Sequence, residues 1–307
     1  MSTARESAED APGQPSLAYR WLLAIRPKTL PAAASSVIVG TALAWRDGGF
    51  RPVAAVAALG IALLLQIGSN LANDVYDAEK GADTEDRLGP VRVTQSGLLS
   101  ADQVKRGMKV VFAIAFVLGI YLAFVRGPLV LVIGVAAIVA AVAYTGGPYP
   151  LGYHGLGEVF VFLFFGLTSV VGTYWVQTGS AALLVWLMAS AIGSIITAII
   201  VVNNLRDIEQ DRVAGKRTVA VRIGVRATRA EYVALMAVAY VLLTLGVALG
   251  VLPPATLLAW LSLPLALRAA HRVLTQSGRP LNAALAETGQ TALLYSVLFA
   301  AGVLIAG

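Results

Sequence analysis

The chain has 307 residues, of which 58% are hydrophobic and only 13% charged, with mean hydropathy +0.77 and a net charge of +6. Soluble domains carry about 25% charged residues, so the deficit excludes an ordinary soluble domain and points to a polytopic membrane protein. No cysteine is present, which excludes disulfides, thiolate metal sites and cysteine nucleophiles, and in a membrane protein the basic balance is read as loop charge, with no nucleic-acid partner expected.

Residues 1–18 open with MSTARESAEDAPGQPS, which is polar, acidic and without an apolar core of its own. It reads as a disordered tail and not as a cleaved signal peptide. Residues 19–307 read as a single transmembrane domain. A bilayer core takes about 20 apolar residues per helix, and nine segments qualify: 21–45, 53–77, 104–125, 127–145, 156–177, 181–204, 229–250, 252–271 and 287–306. No strand-length alternation recurs, so the expected class is an all-α bundle of about nine spans.

The first segment begins at RPKTLPAA (26–33), where Pro27 and Pro31 distort the opening turn and can aim Arg26 and Lys28 inward. The second ends in NLANDVYDAEKGAD (70–83). On a helix, Asn70, Asp74 and Asp77 stand at i, i+4 and i+7 and form one stripe. The loop beyond carries Lys80, Arg87 and Arg92. After the fourth segment comes YTGGPYPLGYHGLGE (144–158), whose Gly and Pro content suits a tight irregular loop. A structural role suits His154, and Glu158 suits the start of the next helix, where an acid is favoured. Gln66, Ser69, Thr173 and Gln290 lie within spans and read as helix–helix hydrogen bonding. The sixth segment runs into VVNNLRDIEQDRVAGKRTVAVRIG (201–224), where Asn203, Asp207 and Asp211 stand at i, i+4 and i+8 beside Arg206, Arg212, Lys216 and Arg217. The two motifs are similar enough to suggest an old internal duplication. Arg268, His271 and Arg272 near the end of the eighth segment read as anchoring charge.

With nine spans, the tail and the loops after segments two, four, six and eight share one side. That side carries 20 of the 23 Lys and Arg, all but Arg46, Arg51 and Arg126. The asymmetry makes the crowded side cytoplasmic, with the N-terminus on it. Both acidic motifs lie there. Carboxylates in a stripe repel one another unless a cation lies between them. Hard oxygen donors of this kind suit Mg²⁺, which takes a few carboxylates, several waters and phosphate oxygens. Carboxylates for a metal beside cations for an anion are what a diphosphate site requires. A cation-coupled transporter would use the same acids, but near the midplane at broken helices.

RPKTLPAA, NDVYDAEKGADTEDRLGPVRVTQSGLL (73–99), YTGGPYPLGYHGLGE and NNLRDIEQDRVAGKRTVAVRIG (203–224) together resemble the UbiA superfamily of intramembrane aromatic prenyltransferases, and within it the naphthoate-prenylating branch of menaquinone synthesis. The superfamily pattern N-D-x-x-D-x-x-x-D would place its last acid at Gly81; here the acid comes at Asp83, a variant the menaquinone branch resembles. The resemblance implies transfer of a polyprenyl group from its diphosphate to 1,4-dihydroxy-2-naphthoate, at the ring carbon bearing the carboxylate, with loss of CO₂ and diphosphate. It implies a multi-pass plasma-membrane enzyme working on the cytoplasmic side. Asp74, Asp77, Asp207 and Asp211 are then the catalytic acids, and with Asp83 the Mg²⁺ ligands. Asn70, Asn73, Asn203 and Arg206 bind substrate. Arg26, Lys28 and Arg92 are candidates for the acceptor carboxylate, and Lys216 and Arg217 for the diphosphate. Tyr76, Tyr144, Tyr149 and Tyr153 can present π density to an allylic cation. The alternative within the superfamily is another aromatic acceptor, such as 4-hydroxybenzoate.

Overall fold

The computed structural model describes residues 15–81 and 88–307, and among them there are helices, turns and loops but no strand. Asp83 and Arg87, and residues 1–14 of the expected tail, lie outside the described residues. The chain is already helical at Leu17, where Ser16 Oγ accepts from the Tyr19 N–H at 3.4 Å.

The first span is broken as its prolines predict. Helix α1 (Leu17–Ile25) stops at Arg26, the one non-glycine residue with positive φ among those described (φ 55°). A 3₁₀ turn over Pro27–Thr29 leads into α2 (Leu30–Arg46). Then follow α3 (Pro52–Glu79), α4 (Ala101–Arg126) and α5 (Leu129–Ala143). Ser100 and Gln103 form a reciprocal capping box at the start of α4. The next span is composite: α6 (Gly157–Val161), a π-helical stretch over Phe162–Thr168, and α7 (Ser169–Thr178). The Ser36 hydroxyl donates to the Phe165 carbonyl within that stretch. Helices α8 (Leu183–Arg206), α9 (Ile208–Val213) and α10 (Val219–Ala248) follow. The expected start at 229 sits inside α10, which bends at Gly224 (φ 79°) after one capped turn. A 3₁₀ segment over Pro254–Ser262 continues into α11 (Leu263–Thr275), and α12 (Leu281–Ala306) completes the bundle.

Eight helical stretches among the described residues are long and apolar enough to cross a membrane, and α5 is a shorter apolar helix of 15 residues. At 1.5 Å per residue α5 reaches only about 22 Å. It nonetheless carries the chain from Arg126, which lies against the end of α7, back to Tyr144 and Thr145 beside the end of α3.

The core is widest around α8. Val185, Met188, Ala189, Ile192 and Ile195 have no exposed surface and pack with α2, α7, α10 and α12. Gly166 and Gly193 meet face to face where the π-helical stretch crosses α8, leaving no room for a Cβ. A second cluster joins α1, α3 and α4 to Val93 and Leu99 of the loop between the last two. The outward faces of α4 and α5 carry exposed apolar residues such as Val117, Phe124, Val132 and Val139, as lipid-facing helices do.

Candidate active site

Helices α3 and α8 deliver their polar C-terminal ends to the same mouth. A cavity of about 990 Å³ opens there and continues between the helices. Its wall on α3 runs through Ala58, Ala62, Leu65, Ser69, Asn73 and Asp77, with Gln66 and Asn70 on the same face. Positions three and four apart recur along the helix, so one face turns from apolar at depth to amide and carboxylate at the mouth. Gln66 and Ser69, expected to tie helices together, line this cavity, although Gln66 does donate to Asn70 Oδ1 at 3.1 Å.

From the first motif, Asp77 faces the cavity. It accepts from Arg92 Nη2 at 2.9 Å and from the Tyr153 hydroxyl at 2.7 Å. Asn73 lines the cavity and accepts from Thr145 Oγ1. Asn70 donates to the Ile25 carbonyl and to Thr29 Oγ1, both at 2.9 Å, so it holds the break between α1 and α2.

Asp74 is placed differently from the expectation. Its side chain is fully enclosed and is not part of the cavity wall. It accepts the backbone N–H groups of Val93 at 3.1 Å and Thr94 at 2.9 Å, and pairs with Arg26 at 3.3 Å. The stripe argument fails here for a geometric reason. At 100° per residue, the cavity face runs through Asn73 and Asp77, and Asp74 falls on the far flank of Asn70. The loop over residues 88–94 folds back onto that flank.

From the second motif, Asn203, Asp207 and Asp211 all line the cavity. The helix does not run straight through them: α8 ends at Asp207 (φ −97°, ψ 9°) and α9 starts anew. Arg206 forks onto Asp207 at 2.8 and 2.5 Å and also donates to Asn203 and Asn282, both at 2.8 Å. Lys216 Nζ lies 3.5 Å from Asp211 and 4.6 Å from the centre of the Tyr153 ring. Burial pushes the Asp211 carboxyl up to about 6; Lys216 opposes the rise, and Asp207 and Asp77 add to it.

Tyr144 and Tyr153 line the cavity, whereas Tyr76 and Tyr149 do not. Burial foremost, then Glu158, Asp77 and Asp211, raise the Tyr144 phenol, which is therefore a neutral wall. Tyr149 is 57% exposed and stacks on His154, and Tyr76 lies under Lys105. Arg26, Lys28 and Arg92 reach the cavity, as does Lys216. Arg217 is exposed and outside the wall; its backbone N–H donates to the Tyr153 carbonyl and its carbonyl accepts from Arg222 Nε at 3.0 Å. Lys80 also turns away, donating to the carbonyls of Thr145 and Gly147; its ammonium is pulled down by burial, partly offset by Asp77. Arg212 pairs with Glu209 on the surface. Glu158 stands in the first turn of α6 as expected, and it also accepts from Asn204 of α8 at 2.7 Å. Arg268 and Arg272, expected as anchors, both pair with the buried Glu287.

One wall residue escaped the sequence reading. Asn282, at the start of α12, accepts from Arg206 and donates to the Leu88 carbonyl at 2.8 Å, joining α8, α12 and the 88–94 loop. A single asparagine in RPLNAAL carries no local signal of that.

Among the described residues no three acids converge as a ready-made metal cage. What the mouth offers is Asp77, Asp207 and Asp211 with amide oxygens from Asn73 and Asn203, each acid already facing a cation. That donor set fits a hard divalent cation that takes one or two carboxylates and completes its shell with water and phosphate oxygens.

Known proteins give the same outline. The family model described as "UbiA prenyltransferase family" matches residues 33–297. A relative from Escherichia coli (strain K12), "1,4-dihydroxy-2-naphthoate octaprenyltransferase", is 39% identical over 298 residues, covering 93% of this chain and 95% of the relative. The protein of that name from Mycobacterium tuberculosis is 39% identical over 283 residues, covering 92% and 95%. Among solved structures, a UbiA homolog from Aeropyrum pernix K1 superposes with TM-score 0.70 at 19% identity, over 92% of this chain and 98% of that one. A UbiA homolog from Archaeoglobus fulgidus bound to DMAPP and Mg²⁺ superposes with TM-score 0.62 at 13% identity, over 93% and 99%.

Proposed function

This chain belongs to the UbiA prenyltransferase family, and we propose that it transfers a polyprenyl group from polyprenyl diphosphate to 1,4-dihydroxy-2-naphthoate, releasing CO₂ and diphosphate. The observation that carries the reading is a single continuous cavity with carboxylates and cations at its mouth and apolar helix faces at depth. A diphosphate head and a long hydrocarbon tail need those two environments in that order. The acceptor follows the naphthoate enzymes that are similar to this chain over nearly their full length.

One or two of Asp77, Asp207 and Asp211, with Asn73 and Asn203, would hold Mg²⁺; a UbiA homolog from Archaeoglobus fulgidus is bound to DMAPP and Mg²⁺. When bound, the metal supplies charge neutralisation to the departing diphosphate. The protein's own groups do the rest. Arg206, Lys216 and Arg92 are positioned to pair with diphosphate oxygens as the allylic C–O bond breaks and its electron pair leaves with oxygen. Tyr144 and Tyr153 line the place where the allylic cation forms, offering ring faces and no strong nucleophile. The ring carbon of the acceptor gives its electrons to that cation, and loss of CO₂ from the same carbon returns a pair to the ring. Lys28 and Arg26, on the α1–α2 break, are placed to hold the acceptor carboxylate before it leaves. Uniformly tight binding of that carboxylate would not speed the reaction.

We place the mouth on the cytoplasmic side of the plasma membrane, because 20 of 23 basic residues lie on the loops of that end. The test is the purified full chain with Mg²⁺, octaprenyl diphosphate and either 1,4-dihydroxy-2-naphthoate or 4-hydroxybenzoate, with products read by mass. Decarboxylated 2-polyprenyl-1,4-naphthalenediol, or the quinone it oxidises to in air, is expected and must vanish with chelator. Prenylation of 4-hydroxybenzoate instead would reassign the acceptor.

A further inference from the structure

The far end of the cavity is built in a way the chemistry at the mouth does not explain. From Asp77 to Ala58 the wall follows 19 residue steps of α3, about 28 Å at 1.5 Å per residue, close to the full hydrocarbon thickness. Leu122, Val130, Trp175 and Val176 line the far end of the cavity. Arg126, at the end of α4, donates to the Val176 carbonyl at 3.0 Å and the Gln177 carbonyl at 2.6 Å, fastening α4 to α7 across that end. Gln177 is 1% exposed; its amide donates to Thr41 Oγ1 at 3.2 Å and its oxygen accepts the Arg51 N–H at 3.3 Å. A polar latch therefore ties these helices together at the end of the cavity away from the acids.

Two glycines keep the bore open just short of this latch. Most glycines inside these helices are packing glycines: a Cβ at Gly40 would meet the Val170 carbonyl, and one at Gly68 would run into the Phe112 ring. Gly134 of α5 and Gly172 of α7 differ. Both line the cavity, and a Cβ at either would meet nothing within 4 Å. Neither has positive φ, so no backbone constraint demands glycine. Helix interiors disfavour glycine relative to alanine. Two such residues, unneeded for packing or for backbone geometry, face the same empty space.

We infer that Gly134 and Gly172 are specificity-determining residues for prenyl chain length: they hold open the distal bore that lets a long tail extend past them toward the Arg126 end of the cavity. The inference rests on the reading of the mouth as the diphosphate site, and it makes the preferred donor a long polyprenyl diphosphate. A Cβ at either position meets no neighbour within 4 Å, so a larger side chain built on it narrows the bore where a long tail passes and leaves the part nearer the mouth to short tails.

The experiment uses the full chain in detergent with Mg²⁺ and geranyl, farnesyl, geranylgeranyl and octaprenyl diphosphate. Binding is read by thermal stabilisation and transfer by product mass. For the wild type, apparent affinity rises along the series. Gly172→Leu and Gly134→Leu should keep geranyl diphosphate within about threefold of wild type while losing about tenfold or more for octaprenyl diphosphate, the scale expected when several buried methylenes are expelled. Gly172→Ala, the milder variant, should fall between. Equal loss at every length in all three variants, or undiminished octaprenyl binding in both leucine variants, overturns the proposal. A wild type stabilised in this length-dependent way that makes no naphthoate product would sink the acceptor assignment and leave the proposal standing. A wild type stabilised by no prenyl diphosphate would remove the diphosphate mouth, and the proposal with it.

Discussion

Replacing Asp74 with asparagine separates a structural carboxylate from a ligand. Asp74 gives one oxygen to the Val93 N–H and the other to the Thr94 N–H, and it faces the Arg26 guanidinium at 3.3 Å. Asparagine keeps one acceptor and turns an NH₂ toward the other donor, so one backbone N–H loses its partner. A hydrogen bond to a charged group contributes about 1.5–3 kcal/mol, and breaking a fully buried ion pair costs about 3–5 kcal/mol. The pair itself counts for less, because Arg26 keeps 14% of its side-chain surface. A total of roughly 2–4 kcal/mol follows, which in a chain of this size lowers the melting temperature on the order of 5–10 °C. The assay is thermal unfolding of the purified protein in detergent, paired with turnover measured across a Mg²⁺ titration. Asp74→Asn should melt early and lose turnover by about tenfold, because Arg92 rides on the loop it anchors, while half-saturation by Mg²⁺ stays within about threefold. Asp211→Asn should do the reverse, with a melting temperature near wild type and a Mg²⁺ requirement raised about tenfold or more. If Asp74→Asn shifted the Mg²⁺ dependence as far as Asp211→Asn does, with no change in melting, the reasoning would be refuted and Asp74 would be a metal ligand.

Asp77→Ala and Asp207→Ala should each lower turnover by about a hundredfold or more in folded protein, read by steady-state product formation. Lys28→Ala should raise the KM for the aromatic acid about tenfold and leave that for the prenyl diphosphate nearly unchanged, whereas Lys216→Ala should act on the diphosphate; equal movement of both constants in both variants would mean one shared anion site. A reporter inserted after residue 98 or 216 should read as cytoplasmic and one at 48 or 179 as external.

The membrane spans were legible because hydropathy is a local property, and the two motifs were legible because their acids and amides recur at helical spacing. Asn73, Asp77, Asn203, Asp207 and Asp211 do meet at one mouth. What stayed hidden depends on contacts between distant parts of the chain. Asp74 could be sorted from Asp77 only once the loop over 88–94 was seen folding onto its flank. Tyr149 looked equivalent to Tyr144 until the loop turned one ring outward onto His154 and the other inward. Asn282 sits 76 residues from Arg206, and nothing near it marks the pairing. The distorted opening turn at RPKTLPAA was anticipated from its prolines, while the helical turns over 219–228 and their bend at Gly224 were missed because the apolar count began that span at 229.

The link from Arg206 through Asn282 to the Leu88 carbonyl has a consequence for biogenesis. Spans enter the membrane in order of synthesis, N-terminal ones first. The acids of α3 and α8 are in place before α12 emerges, and Asp74 and Asp77 already hold the Arg92–Thr94 end of the loop, yet its Leu88 end lacks the tie to Asn282 until that helix arrives. A nascent chain stalled before α12 therefore holds a mouth that lacks the Arg206–Asn282–Leu88 bridge. The wall of the mouth is complete only once α12 has joined the bundle and Asn282 bridges Arg206 to the Leu88 carbonyl.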